Sequence, residues 1–173
     1  HYAGPPPGMS DDEISVRPID FVRDEQPLKT FLNDRDRMRL AHAEPALNAG
    51  DAFIYVADER GVPVGWAIVH LTYREDQDWE PDDDGRAYQS GDNAYLENIE
   101  VTARLRSHGL GAKLITAIEE EARTRGKRYL WLHTSENNFK AHQLFERQGW
   151  QLETSVYPPW KPGARMRVYK KTL

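Results

Sequence analysis

The chain reads as one α/β domain on a mixed sheet. Two observations predict this. Apolar runs of period two and stripes of period 3.6 follow one another in the order β, helices, β, β, loop, β, α, β, α, β, β. The length of 173 residues, with 39% apolar and 29% charged side chains, suits a single globular unit with its own core.

Residues 1–8 (HYAGPPPG) carry three consecutive prolines and lack the apolar core and basic flank of a signal peptide. They are read as an expression remnant or disordered tail, with residues 9–173 as the single domain. Ile14, Val16 and, past Pro18, Ile19 mark a short first strand, of edge type because proline cannot donate within a central ladder. A polar stretch to about Ala43 follows, with Leu28, Phe31, Leu32, Met38 and Leu40 as its apolar contacts. It reads as one broken helix or two short ones. Ala52–Ala57 and Val62–Tyr73 are β-rich, and the break Asp58-Glu59-Arg60-Gly61 predicts a hairpin between them.

Residues 74–93 have no apolar period. Seven of the ten residues from Glu75 to Asp84 are acidic, with Trp79 among them. This is either a solvated surface loop or an acidic rim for a cationic substrate. Ala94–Val101 alternates, which places Tyr95, Glu97, Ile99 and Val101 on one face and Glu100 on the other. After Arg106-Ser107-His108-Gly109-Leu110-Gly111, the stripe Leu110, Leu114, Ile115, Ile118 and Ala122 marks a helix with Gly126 at its end. Tyr129–Thr134 is apolar enough for a central strand. A helix from about Asn138 to Arg147 stops at Gly149. Strands near Trp150–Tyr157 and Met166–Lys171 flank a Pro158–Gly163 turn.

Several function classes drop out early. No apolar stretch approaches the roughly 18 residues of a membrane span. A net charge of −5 disfavours nucleic acid. The absence of cysteine removes disulfides, thiolate metal sites and thiol nucleophiles, and fits a reducing, cytoplasmic setting. The six histidines are scattered without metal-ligand spacing, so no metal is expected.

A strand, a glycine-rich turn and a helix together are a recipe for binding phosphate, although glycines at a helix start also serve simple packing. The first N–H groups of a helix are unpaired and sit at the positive end of its dipole. Gly109 and Gly111 would let the backbone approach the anion, with Arg106 and His108 as further donors. The Gly-Lys-Ser/Thr ending of a P-loop is missing, and Leu114 stands where a dinucleotide fingerprint needs its third glycine.

Arg106-Ser107-His108-Gly109-Leu110-Gly111 instead resembles the Gln/Arg-x-x-Gly-x-Gly/Ala signature of the GNAT superfamily of acetyl-CoA-dependent N-acetyltransferases. A preceding strand ends at Val101, eight residues before the first glycine. Asn138-x-x-Ala141-x-x-Leu144-Phe145-Glu146-x-x-Gly149-Trp150 is similar to a second block of that family. The resemblance implies a largely antiparallel sheet of six to seven strands, flanked by helices, with a splayed central strand pair. It implies acetyl-CoA as co-substrate and direct transfer to an amine. Ile99 and Val101 would lie on the pantetheine, and the backbone of Arg106, Ser107, His108, Gly109, Leu110, Gly111 and Ala112 on the pyrophosphate. Asn138 and Phe145 would reach the cofactor from across the gap.

Direct attack needs a neutral amine and hence a base. The run Tyr95-Leu96-Glu97 resembles polyamine-type members, which implies Glu97 as that base; His133 reads as a buried, hydrogen-bonded histidine. Phe145 departs from the family's tyrosine, whose hydroxyl protonates the leaving thiolate. Tyr157 and Tyr95 are the candidates to replace it, with Tyr157 taken as the catalytic one. The acidic run and the Tyr157–Trp160 aromatics suit a small cationic acceptor: a polyamine, an aminoglycoside-like sugar or an amino-acid-like amine. Two alternatives stay open: acetylation of a protein N-terminus or lysine, and a CoA-binding sensor without turnover. No nucleic-acid or membrane partner is expected. A homodimer through the end hairpin is compatible with the family.

Overall fold

The computed structural model describes residues 13–72, 91–157 and 163–173. Its elements are β1 (Ile14–Pro18), α1 (Phe21–Phe31), α2 (Asp34–Ala49), β2 (Ala52–Glu59), β3 (Val62–His70), β4 (Asn93–Val101), α3 (Leu110–Thr124), β5 (Tyr129–Ser135), α4 (Phe139–Arg147), β6 (Gln151–Val156) and β7 (Met166–Thr172). One seven-stranded sheet runs in the order β1-β2-β3-β4-β5-β7-β6. Every neighbouring pair is antiparallel except β4 and β5, which are parallel. The proline-bearing β1 lies at one edge, and β5 is central, as their sequences predict. The acidic run and the Pro158–Pro162 part of the last turn lie outside the described residues.

Local chemistry sets the boundaries. Asp20 and Asn33 cap α1 and α2, their side chains accepting from Arg23 N and Asp36 N. The second helix continues past the expected end near Ala43 to Ala49, holding Pro45 inside it, and stops at Gly50 with φ +77°. Between β2 and β3, Arg60 and Gly61 both take positive φ (53° and 87°). That is the twist-matched two-residue turn a hairpin favours.

The sheet is covered on both faces. On one, Leu110, Leu114, Ile115, Ile118 and Ala122 of α3 pack on Ala67, Val69, Ala94, Leu96, Leu130 and Leu132, with Phe145 and Trp150 in the same cluster. On the other, Leu28, Leu32, Leu40 and Ala43 pack on Ile54, Val56, Trp66 and Ile68. Each such fully buried large side chain contributes about 1.5–3 kcal/mol of transfer free energy. At the sheet edge Arg17 donates to Asp24 at 2.6 Å and to Asp58 at 2.7 Å, and Arg23 reaches Asp58 at 2.8 Å. These contacts tie α1 to β1 and β2. The Arg17 guanidinium holds the Asp24 carboxyl below the usual carboxylate range.

Two irregularities position the site. Pairing between β4 and β5 covers only Asn93–Tyr95 against Tyr129–Trp131, so the two strands part after Tyr95. This is the splayed pair that the family resemblance implies. Opposite it, the β3–β4 register shifts: Ile68 faces Asn98 but Val69 faces Leu96, leaving Glu97 as an extra residue. The bulge corrects the simple alternation read from the sequence. Ile99 and Val101 pack with the α3 core. Glu97 instead turns to His70, on the α1/α2 side. Glu100, paired with Trp66, therefore shares a face with Glu97 rather than opposing it.

Candidate active site

The glycine-rich cradle at the start of α3 forms where the sequence places the turn. A short 3₁₀ turn, Ala103–Leu105, and a loop with positive φ at Ser107 (74°) and Gly109 (80°) lead into α3. The first backbone bond of α3 is Lys113 N to Gly109 O. Helix geometry thus leaves the N–H groups of Leu110, Gly111 and Ala112 without i−4 partners, and no side chain caps Gly109. Here an anion would meet aligned donors. Gly109 is required by its backbone angle, since a Cβ there would meet nothing within 4 Å. Gly111 has a different reason: its Cβ would lie 3.1 Å from Leu144 Cδ2. Close packing of α4 on the start of α3 accounts for it. Arg106 is held by Glu100 at 2.7 Å and by the Val101 carbonyl at 3.2 Å; His108 is exposed.

The splay supplies the second feature. Ala94, Tyr95 and Leu96 are buried, whereas every residue from Glu97 to Val101 is half-buried. Beyond Tyr95 the β4 edge is open toward β5, and Ile99 and Val101 belong to this open segment. An extended, amide-bearing arm can pair with such an edge.

Glu97 stands at the start of the opening. Its Oε1 lies 2.6 Å from Nε2 of His70, a side chain 1% exposed. A carboxylate only accepts, so His70 directs an Nε2 proton at it. The next residue, Asn98, donates to buried Asp36 of α2 at 3.0 Å, and Asp36 also pairs with Arg39 at 2.5 Å. Two carboxylates, Glu97 and Asp36, therefore flank Asn98 on the α1/α2 side. Sequence reasoning missed His70 and Asp36. Alternation with Trp66 and Ile68 could have placed His70 on that face, but its pairing with Glu97 depends on the bulge.

Tyr95 and His133 meet across the point where β4 and β5 part, Tyr95 Oη lying 2.8 Å from His133 Nδ1. Desolvation lowers the His133 pKa to about 4, so the ring is neutral near pH 7. The hydrogen-bonded histidine expected from the sequence is present. Phe145 is 4% exposed, its ring 5.2 Å from Trp150 and 6.5 Å from Tyr169, so its contacts are those of a core residue. Asn138 caps α4, accepting from Ala141 N at 3.3 Å, which leaves its amide N–H₂ for other partners. Tyr157 is 71% exposed just past β6, three strands from β4. The structure does not bring it to Glu97. Among the described residues no helix is long and apolar enough to cross a membrane.

Comparison with known proteins agrees with this layout. Residues 19–150 match the Acetyltransferase (GNAT) family. No curated protein sequence matches the chain. Among solved structures, yncA from Salmonella typhimurium, which holds its cofactor acetyl-CoA, superposes with a TM-score of 0.62 at 21% identity, covering 93% of this chain and 94% of that one. The ribosomal-protein-S18-alanine N-acetyltransferase of Escherichia coli gives 0.66 at 17%, covering 92% and 93%. Nourseothricin acetyltransferase gives 0.56 at 24%, covering 72% and 66%. At these identities the neighbours establish the fold, while the family match spans most of the sequence. The chain belongs to the GNAT acetyltransferase family and is an acyltransferase.

Proposed function

We propose that this protein transfers the acetyl group of acetyl-CoA to a primary amine of a small cationic acceptor, with Glu97 as the base. The observation that carries the reading is the half-buried Glu97 carboxylate, held by His70 at the bulge where β4 leaves β5. Acetyl-CoA supplies an activated acyl group with a thiol leaving group. The N–H groups of Leu110, Gly111 and Ala112 would hold its phosphates, and the open edge of β4 its arm. Glu97 takes a proton from the amine, leaving a lone pair for attack. Asp36, nearby on the α1/α2 side, is already ion-paired with Arg39 and lends an approaching cation little net charge. The acidic run Glu75–Asp84 supplies negative charge at the level of sequence.

The test is CoA release at saturating acetyl-CoA across polyamines, aminoglycosides, amino acids and lysine peptides, with Glu97→Gln beside the native chain. Turnover of one cationic small-molecule class that collapses in Glu97→Gln is the expected result. Turnover on peptides alone would replace this reading with protein acetylation. Silence across the panel, with acetyl-CoA still raising the melting temperature, would favour a CoA-binding protein. Replacing Asp82, Asp83 and Asp84 with Asn should lower kcat/KM for cationic acceptors at low salt.

A further inference from the structure

Breaking the thioester leaves negative charge on sulfur, and a proton donor there lowers the barrier. Phe145, the aromatic of the second motif that stands at the family's tyrosine position, has no hydroxyl and is packed into the core. Tyr157 is exposed three strands from β4. Tyr95 is differently placed. It is the last residue of β4 paired to β5, two positions before Glu97, and its hydroxyl bridges the parting strands to His133. A phenol is thus fixed at the closed end of the opening, two residues from Glu97, where the reactive end of an arm lying along β4 would come to rest.

We propose that Tyr95 donates the proton to the departing CoA thiolate, with His133 as its positioning residue; this rests on the acetyl-transfer reading above. The amine nitrogen bonds to the thioester carbon, the C–S pair goes to sulfur, and Tyr95 Oη–H passes its proton to that sulfur. Neutral His133, presenting Nδ1–H to Tyr95 Oη, holds the phenolate that results. The proton that Glu97 takes from the amine returns to the phenolate through solvent. Atoms and charges balance as amine plus thioester giving amide plus thiol. The groups facing Tyr95 are consistent with this. His70 is its register partner on β3 and already serves Glu97, while Trp131 is its register partner on β5. Lys170, the register partner of Trp131 on β7, lies over the Tyr129 and Trp131 rings at 4.1 and 4.9 Å.

The deciding experiment needs no acceptor. CoA is bound to the full chain and its thiol titrated by ultraviolet thiolate absorbance, in the native protein, Tyr95→Phe and His133→Asn. A donor at the sulfur stabilises the thiolate, so Tyr95→Phe should raise the bound thiol pKa by about one unit while the CoA Kd stays within about threefold. An unchanged thiol pKa in Tyr95→Phe overturns the proposal, whatever the acceptor proves to be. Should Tyr95→Phe fail to bind CoA, His133→Asn carries the test. It keeps the phenol, and it should raise the thiol pKa in the same direction; no rise in that variant overturns the proposal. On any amine the native chain acetylates, Tyr95→Phe should lower kcat about 100-fold and His133→Asn about tenfold, each with KM values preserved. A native kcat in Tyr95→Phe would also overturn the assignment. Failure of the cationic-amine reading would show separately, as native silence on the acceptor panel with the thiol shift intact.

Discussion

His70 Nε2 and Glu97 Oε1 lie 2.6 Å apart across a strand pair whose register slips at that point. Counted by simple alternation from Ile99 and Val101, Glu97 would fall on the apolar α3 face. The bulge and the histidine together turn a carboxylate toward the side where α1 and α2 leave polar neighbours. Glu97→Gln should therefore cut kcat/KM by about 10²–10⁴ with acetyl-CoA binding retained. His70→Ala should lower kcat less, by releasing the carboxylate rather than removing it. Steady-state kinetics with a melting-temperature check for bound acetyl-CoA separates the two.

Gly109→Ala tests the cradle. The added methyl meets no atom within 4 Å, but the backbone stays at φ +80°. The cost is conformational, about 1–2 kcal/mol, and urea unfolding reads it directly. Relaxation of that angle would also misalign the first N–H groups of α3, so acetyl-CoA affinity should fall in parallel.

The edge ion cluster predicts an acid limb. Asp24 is fully buried and its carboxyl is lowered chiefly by the Arg17 hydrogen bonds. A depressed carboxylate contributes stability that is present above its unfolded pKa of roughly 4 and lost as pH falls through the folded value. Asp24→Asn should cost about 1.5–3 kcal/mol at pH 7 and flatten the stability profile below about pH 4, measured by denaturant titration.

His133 gives a second, separable window. Its folded pKa of about 4 lies below the unfolded value of roughly 6.5, so the unfolded chain binds its proton first. Stability then falls as pH drops from about 6.5 toward 4, by about 2 kcal/mol between pH 7 and pH 5. Urea unfolding at those two pH values should show that slope in the native chain and lose it in His133→Asn.

Phe145→Tyr places a hydroxyl in the cluster with Trp150 and Tyr169. It should destabilise the fold by about 1–3 kcal/mol and leave kcat no higher than native. Thermal unfolding and turnover measured on one preparation check both.

Much of this was legible from the residue order. Period-two runs located the strands, the Leu110–Ala122 stripe located α3, and Gly126 stands at its end as read. What failed to read was non-local. A bulge on β4 is set by its pairing with β3, so the alternation that put Glu97 beside Ile99 could not register it. The extension of α2 past Pro45 depends on packing of the helix rather than on its own propensity. The close approach of Leu144 to Gly111, more than thirty positions away, is a packing constraint the local motif could not show. Tyr95 and His133 were each visible, but their meeting required the strands to part where they do.

With only three residue pairs joining β4 to β5, the seven strands form a four-stranded and a three-stranded leaf sharing a narrow seam. The unpaired backbone along the seam needs water or a ligand to complete it. A molecule lying there would work as a replaceable eighth strand, and its concentration would enter the folding equilibrium. Occupied at about a hundred times its Kd, the seam would add about 2.7 kcal/mol to unfolding by mass action alone. The resting stability of this protein would then follow the supply of its own acyl donor.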